Sequence, residues 1–342
     1  MTFAVVENVR VKGIAGAVPE NESPLSNDFD RFGEDAVKRI VSSTGIHNRR
    51  LAPEGLSASD LCHAAADRLI KSLDWPPGSV ELVIFLSQTG DFVIPSTACV
   101  LQDRLGLPKT AVAFDVPLGC SSYAYGLWIA SSLLTTLKTT RALILVGDTL
   151  TKHVSKDDRA LWPLFGDAGT ATAIEVDPDA PPMYFEFGTD GSGYEHLLIN
   201  RPSIGDLAPQ NLHMDGVAVF SFTLREVPPM VKRLLETSHI EVDAIDKWVF
   251  HQANEFILKN LQKRLKIPNE KFVTDLANWG NTSGASIPLA ICSSLREDLQ
   301  QRNHRLLLVG FGVGLSWGAA IVEVPQSIVI PGIIEMQPVA AE

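Results

Sequence analysis

Short apolar runs alternate with helical segments along the whole chain. The stretches "ALILVGD" (142–148) and "LLLVG" (306–310) are almost uninterrupted apolar runs, which is typical of strands covered on both faces. The segment "SSYAYGLWIASSLL" (121–134) is apolar nearly all round, so we expect a buried helix there. This alternation predicts an α/β protein.

The second half of the chain resembles the first. The stretch "VELVIFLSQT" (80–89) resembles "IDKWVFHQAN" (245–254). Three matched pairs have similar separations along the chain: Phe85 and Phe250 are 165 residues apart, Cys120 and Asn281 are 161, and Val146 and Val309 are 163. The sequence therefore predicts a duplicated fold with halves at 1–177 and 182–325, joined by the proline-rich "DPDAPP" and followed by a tail at 326–342. We expect one sheet in each half, with helices sandwiched between the two sheets.

Composition and charge exclude several classes of protein. The chain has 342 residues, is 45% hydrophobic and 20% charged, and this balance is typical of a folded globular protein. Its net charge of −11 argues against non-specific nucleic-acid binding, which needs a basic surface. No apolar run approaches the roughly 18 residues of a membrane span, and the N-terminus lacks the pattern of a signal peptide. The four cysteines have no metal or disulfide spacing, so we expect no metal site and a reducing, cytoplasmic location.

Three polar residues fall at strand ends near the seam between the halves. Cys120 follows the predicted strand "AVAFDV" and opens a helix, and His251 ends the predicted strand "KWVF". Asn281 occupies the position equivalent to Cys120 in the second half. Since polar groups at strand ends gather at such seams, we expect the three side chains to meet.

This combination fits chemistry on a thioester. A cysteine at a helix N-terminus is expected to have a lowered pKa, and an imidazole and a carboxamide supply donors for a developing enolate or oxyanion. Each signal alone is weak, because a buried cysteine is usually inert, as we expect of Cys62, Cys99 and Cys292. A histidine at a strand end or a "GNTSG" turn is also common for structural reasons. The cysteine, the histidine and the asparagine favour an active site because all three fall at positions related by the repeat.

The motifs "FDVPLGC", "FHQAN", "GNTSGAS" and "GFGVGLSWG" resemble, in this order and spacing, the signatures of β-ketoacyl-acyl-carrier-protein synthase III of the thiolase superfamily. The resemblance runs from about Val9 to Val324. It implies a thiolase-like fold with αβαβα layers, a homodimer, and no permanently bound cofactor. The implied substrates are thioesters of coenzyme A or of acyl carrier protein.

The resemblance also implies roles for individual residues. Cys120 would be the nucleophile that takes the acyl group. His251 and Asn281 would hold the extender thioester and stabilise its enolate during decarboxylation and condensation. The backbone N–H groups of Cys120 and Val313 would form the oxyanion hole, although the family usually has glycine where Val313 stands.

The residues expected to bind the donor depart from the family pattern. Arg159, in "DDRALWPLFGDAGTA", falls at a position that contacts the phosphopantetheine donor in the family. The clamp for the adenine of coenzyme A, usually a tryptophan and an arginine, is replaced by Arg39 and Ser43 in "RIVSSTGI". Arg39 suits a phosphate contact. The loss of the clamp favours a specialised relative that serves a particular biosynthetic pathway.

The segment "NEFILKNLQKRLKI" (254–267) has apolar residues at helical spacing with basic residues around them. Composition alone favours an ordinary amphipathic helix with a solvated face. The resemblance implies instead that Lys259, Lys263 and Arg264 dock an acidic carrier protein. Phe256 replaces an arginine that is usual in the family.

Other functions stay open at this point. A related acyltransferase could pass the acyl group to an amine or a hydroxyl without decarboxylation, and a non-catalytic chain could serve as one partner of a heterodimer. A thiolase proper would need a second cysteine in "GFGVGLSWG", which has none. The same loop is not a dinucleotide-binding turn, because the residues after it predict a strand and not a helix.

Overall fold

The protein is described by a computed structural model that covers residues 2–137, 139–199 and 211–337. The strands are β1 (Thr2–Val6), β2 (Val9–Pro19), β3 (Glu22–Pro24), β4 (Asn48–Arg50), β5 (Leu82–Leu86), β6 (Val112–Val116), β7 (Arg141–Asp148), β8 (Ala168–Val176), β9 (Met183–Thr189), β10 (Leu197–Leu198), β11 (His213–Met214), β12 (Lys247–Phe250), β13 (Phe272–Val273), β14 (His304–Gly312), β15 (Ser316–Val324) and β16 (Ile333–Met336). The helices are α1 (Phe29–Phe32), α2 (Glu34–Thr44), α3 (Ala58–Ser72), α4 (Thr97–Arg104), α5 (Ser122–Thr136), α6 (Gly216–Ser238), α7 (Glu255–Leu265), α8 (Ser286–Ser294) and α9 (Arg296–Leu299). None of these helices is both long enough and apolar enough to cross a membrane.

Two large sheets have the same internal order, which confirms the duplicated fold. One has the order β16-β2-β8-β7-β5-β6 and the other has the order β1-β9-β15-β14-β12-β13. In the first sheet β5 runs parallel to β6 and β7, and β8 is antiparallel to β7 and β2. In the second sheet β12 runs parallel to β13 and β14, and β15 is antiparallel to β14 and β9.

The ends of the chain complete the sheet of the opposite half. β1 pairs with β9 in the second sheet, and β16 pairs with β2 in the first. Residues 333–336, which the sequence analysis assigned to a tail, are therefore an edge strand of the first sheet. This exchange ties the two halves together at both termini.

The elements stack in five layers, as the αβαβα prediction states. Helices α5 and α8 lie between the two sheets in one apolar core that includes Leu127, Ile287 and strand residues of both sheets. Helices α3 and α4 cover the outer face of the first sheet, and α6 and α7 cover that of the second. The prediction of a buried helix at 121–134 is confirmed, because α5 buries most of its residues against both sheets.

The backbone of β14 lies directly against the turn that carries Cys120. A methyl group on Gly310 would lie 2.7 Å from the carbonyl oxygen of Cys120 and 2.7 Å from the Cα of Ser121. A methyl group on Gly312 would lie 2.8 Å from the sulfur of Cys120. Glycine is therefore the residue that lets the second half reach the nucleophile turn of the first.

We expect Gly310→Ala to destabilise the protein by about 1–3 kcal/mol, because the added carbon meets rigid backbone on a buried seam. Urea unfolding measures this change. The matched control is Gly78→Ala, where the added carbon would meet no atom within 4 Å and the change should stay within about 0.5 kcal/mol. Equal effects of the two substitutions would contradict the close packing of the seam.

Candidate active site

A cavity at the seam brings together the three side chains that the sequence singled out. It opens to solvent. Cys120, His251 and Asn281 all line it. The remaining lining is largely apolar and includes Leu150, Leu197, Leu212, Val219, Ile257 and Phe311.

Cys120 lies between β6 and the start of α5 and is only 8% exposed. Burial raises the pKa of its thiol to about 11, against hydrogen bonds to the sulfur from the backbone of Val313 and of Cys120 itself. This reverses the lowered pKa that its place at a helix N-terminus predicts. The physical reason is that the cavity removes the sulfur from water, which disfavours the thiolate more than the nearby donors favour it.

The turn after β14 brings the backbone of Val313 to the sulfur. The hydroxyl of Ser316 donates a hydrogen bond of 2.8 Å to the carbonyl of Val313. The same hydroxyl lies 2.7 Å from the hydroxyl of Ser121, the residue after the cysteine. These contacts tie the turn that carries Val313 to the turn that carries the nucleophile.

His251 is held in its neutral form and in one orientation. Its Nδ1 lies 2.7 Å from the hydroxyl of Ser286 on α8, and that hydroxyl also accepts a hydrogen bond of 3.2 Å from the backbone of Gln252. This contact on one edge of the ring fixes the orientation of the imidazole. Burial lowers the pKa of His251 to about 3, so the ring is neutral at physiological pH.

Asn281 turns its amide group in a defined direction. Its Oδ1 accepts a hydrogen bond of 2.9 Å from the backbone of Ser283. Its own backbone N–H donates to the carbonyl of Leu164 at 2.8 Å. With the oxygen engaged, the NH₂ group is the edge of the amide that can donate to a ligand.

The other polar residues of the "HQAN" motif stabilise the local backbone. The side chain of Gln252 donates to the carbonyl of Phe250 at 2.6 Å and accepts from the backbone of Asp275 at 2.8 Å. The side chain of Asn254 caps α7 by accepting from the backbone of Ile257 at 2.9 Å. Both interactions fix the segment that carries His251.

Comparisons with known proteins identify the family of the chain. The family model for 3-oxoacyl-acyl-carrier-protein synthase III matches residues 114–191, and the model for the C-terminal part of that enzyme matches residues 235–324. A β-ketoacyl-acyl-carrier-protein synthase III of Clostridium perfringens is 33% identical over 327 residues, which cover 93% of this chain and 100% of the relative. The chain belongs to the β-ketoacyl-acyl-carrier-protein synthase III family.

Solved structures agree with this assignment. A 3-oxoacyl-acyl-carrier-protein synthase from Burkholderia xenovorans has a TM-score of 0.95 and 36% identity, over 98% of this chain and 99% of that one. The priming β-ketosynthase of the R1128 polyketide pathway has a TM-score of 0.85 and 26% identity, over 94% and 97% of the two chains. The protein is therefore a condensing acyltransferase of the synthase III type with a thiolase fold.

The residues expected to contact the donor and the carrier lie outside the cavity lining of this synthase. Arg39, on α2, and Arg159 are exposed. Lys259, Lys263 and Arg264 are exposed on α7, whose apolar face is buried, as the amphipathic pattern predicts. Lys259 forms an ion pair of 2.9 Å with Glu255.

Sequence reasoning missed two polar residues of the site and misplaced one cysteine. Ser286, the last residue of "GNTSGAS", positions His251. Gln88 also lines the cavity. The sequence repeat could have pointed to it, because Gln88 is 165 residues before Ala253, which lines the same cavity. Cys62 and Cys292 are buried as expected, but Cys99 is exposed, since it lies on the outward side of α4.

We expect the rate of Cys120 alkylation by iodoacetamide to rise about tenfold per pH unit from pH 7 to pH 9. The reason is that a thiol with a pKa near 11 gains thiolate in proportion to hydroxide throughout that range. Mass spectrometry of the Cys120 peptide measures the rate, with the Cys120→Ser variant as the blank and exposed Cys99 as an internal reference. A rate that levels off below pH 9 would mean that the free enzyme holds a thiolate.

Proposed function

We propose that this synthase loads an acyl group from a thioester donor onto Cys120 and condenses it with a malonyl thioester to give a β-ketoacyl product. One observation carries the proposal: the thiol of Cys120, the ring of His251 and the amide of Asn281 line one largely apolar cavity. Family membership supports the same reaction.

In the loading step, the sulfur of Cys120 attacks the donor carbonyl. The carbonyl oxygen becomes negative and lies between the N–H groups of Cys120 and Val313, which already face the sulfur. A new bond forms between this sulfur and the acyl carbon, and the donor's own carbon–sulfur bond breaks. The proton of the Cys120 thiol ends on the departing pantetheine sulfur, so the enzyme stays neutral.

In the condensation step, the Nε2–H of His251 and the NH₂ of Asn281 donate to the carbonyl of the malonyl thioester. Carbon dioxide leaves, and the electron pair of the broken bond enters an enolate that both donors stabilise. The enolate carbon then attacks the acyl carbonyl on Cys120. A carbon–carbon bond forms, the bond to sulfur breaks, and the released thiolate takes a proton from solvent.

The pKa of His251 separates this reaction from acyl transfer to an amine or a hydroxyl. Transfer to such an acceptor needs a base that removes its proton, and a base works best with a pKa near the working pH. Burial lowers the pKa of His251 to about 3, so the ring is a poor base and a good neutral donor. This observation favours condensation.

Arg159 and Arg39 are proposed as contacts for the phosphate groups of the donor. Both guanidinium groups are exposed outside the cavity, and guanidinium forks suit phosphate oxygens. Ser43 and Arg39 provide no aromatic ring for stacking on adenine, which supports a carrier-bound donor and a specialised biosynthetic pathway. The similarity to a priming β-ketosynthase of a polyketide pathway is in keeping with that proposal.

Exposed apolar surface supports a homodimer. The edge strand β6 is only half-buried, and Val112 at its start is 40% exposed. The adjoining loop exposes Phe92, Val93 and Ile94, the last two by 84% and 85%. Contiguous exposed apolar residues of this kind mark protein contacts, and we propose that a second copy of this chain covers them.

Substitution of either donor should separate the two steps. We expect His251→Ala and Asn281→Ala to keep the loading of Cys120 but to slow malonyl decarboxylation by roughly 10²–10³, because each loses one donor to the enolate. Intact mass measures loading, and release of labelled carbon dioxide measures decarboxylation. Variants that load poorly and decarboxylate normally would contradict the assigned roles.

Reversal of the basic side chains on α7 should act on carrier-bound substrates alone. We expect the triple change Lys259→Glu, Lys263→Glu and Arg264→Glu to raise the KM for malonyl-carrier protein about tenfold or more, since an acidic carrier loses complementary charge. The KM for malonyl-pantetheine should change little. The control makes the same charge change away from α7, at the exposed lysines Lys71, Lys109 and Lys232. Equal damage to both substrates would show that α7 has a structural role only.

A further inference from the structure

Gln88 is a polar side chain in an otherwise apolar part of the cavity. It follows β5 and lines the cavity together with Leu197, Leu212 and Val313. The same four residues also line a neighbouring surface cavity that continues past Pro117, Tyr194 and Leu198. Gln88 therefore lies on the wall that the two cavities share.

A buried carboxylate holds the backbone around Gln88. Asp148 is 1% exposed, and its Oδ1 accepts hydrogen bonds from the backbone of Gln88 at 2.7 Å and of Thr89 at 3.2 Å. The hydroxyl of Ser87 donates to the same oxygen at 3.1 Å. This network fixes the backbone from which the Gln88 side chain projects into the cavity.

The amide oxygen of Gln88 is hydrogen-bonded, whereas its NH₂ group is available to bind a ligand. Its Oε1 accepts a hydrogen bond of 3.3 Å from the hydroxyl of Ser283. Among the described residues, none accepts a hydrogen bond from its NH₂ group. The amide packs on Gly119, because a side-chain carbon on that glycine would overlap Oε1 and would lie 2.8 Å from Cγ1 of Val313. Gln88 and Val313 thus flank the residue that precedes Cys120.

From this geometry we propose that Gln88 selects acyl groups that carry a hydroxyl or keto oxygen close to the thioester. The inference rests on the proposed loading of Cys120. With the acyl carbonyl between the N–H groups of Cys120 and Val313, the next carbons of the acyl group pass the side chains of Val313 and Gln88. An oxygen on one of these carbons would accept from the NH₂ group, whereas a plain hydrocarbon chain offers that group no acceptor.

The test compares donors that differ by one oxygen. Butyryl-pantetheine, 3-hydroxybutyryl-pantetheine and acetoacetyl-pantetheine are supplied to the full-length protein, and the rate of Cys120 acylation is followed by intact mass. We expect the two oxygen-bearing donors to react about 3- to 10-fold faster than butyryl-pantetheine, which is the usual worth of one hydrogen bond. Gln88→Met, which keeps the length of the side chain and removes its polarity, should abolish this preference. Leu212→Met, in the same cavity wall, should retain it.

Equal rates for the three donors in the wild type would overturn the inference while leaving the proposed function in place. A preference that survives in folded Gln88→Met protein would also overturn it. If Gln88→Met does not fold, the wild-type comparison still decides. Failure of every donor to acylate Cys120 would overturn the proposed function itself, and this inference with it.

Discussion

The site depends on the close approach of two backbones at the seam between the halves. β14 passes so near the Cys120 turn that side chains at Gly310 and Gly312 would collide with it. This contact brings a donor from the second half, the N–H of Val313, to a nucleophile in the first. The buried core that holds the sheets and the central helices together keeps the separation between β14 and the Cys120 turn fixed.

Burial then sets the charge state of the site. Both Cys120 and His251 are held in their neutral forms, the thiol by a raised pKa and the imidazole by a lowered one. With both groups neutral, neither adds an ionic charge that must be desolvated before an apolar acyl chain enters. Its catalytic power then lies in fixed N–H donors, which act on charge as it develops and need no reorganisation.

Polar residues around the site act mainly on orientation. Ser286 orients the ring of His251, the Ser283 backbone orients the amide of Asn281, and Ser316 ties the Val313 turn to the nucleophile helix. Asp148 does the same for the segment that carries Gln88. Apart from the local contact between Ser283 and Asn281, each of these partners is distant in sequence from a group that it joins, so the orientation of these groups depends on the assembled fold.

The sequence by itself determined the layered α/β fold, its duplication and the identity of Cys120, His251 and Asn281 as candidates, because apolar periodicity and repeated motifs are local signals. It could not determine the pKa of the thiol, the exposure of Cys99, the exchange of β1 and β16 between the sheets, or the place of Gln88 and Ser286. Each of these depends on which distant segments pack together and how much water they exclude. Helix position alone suggested a reactive thiolate, and only the tertiary structure supplied the burial that outweighs it.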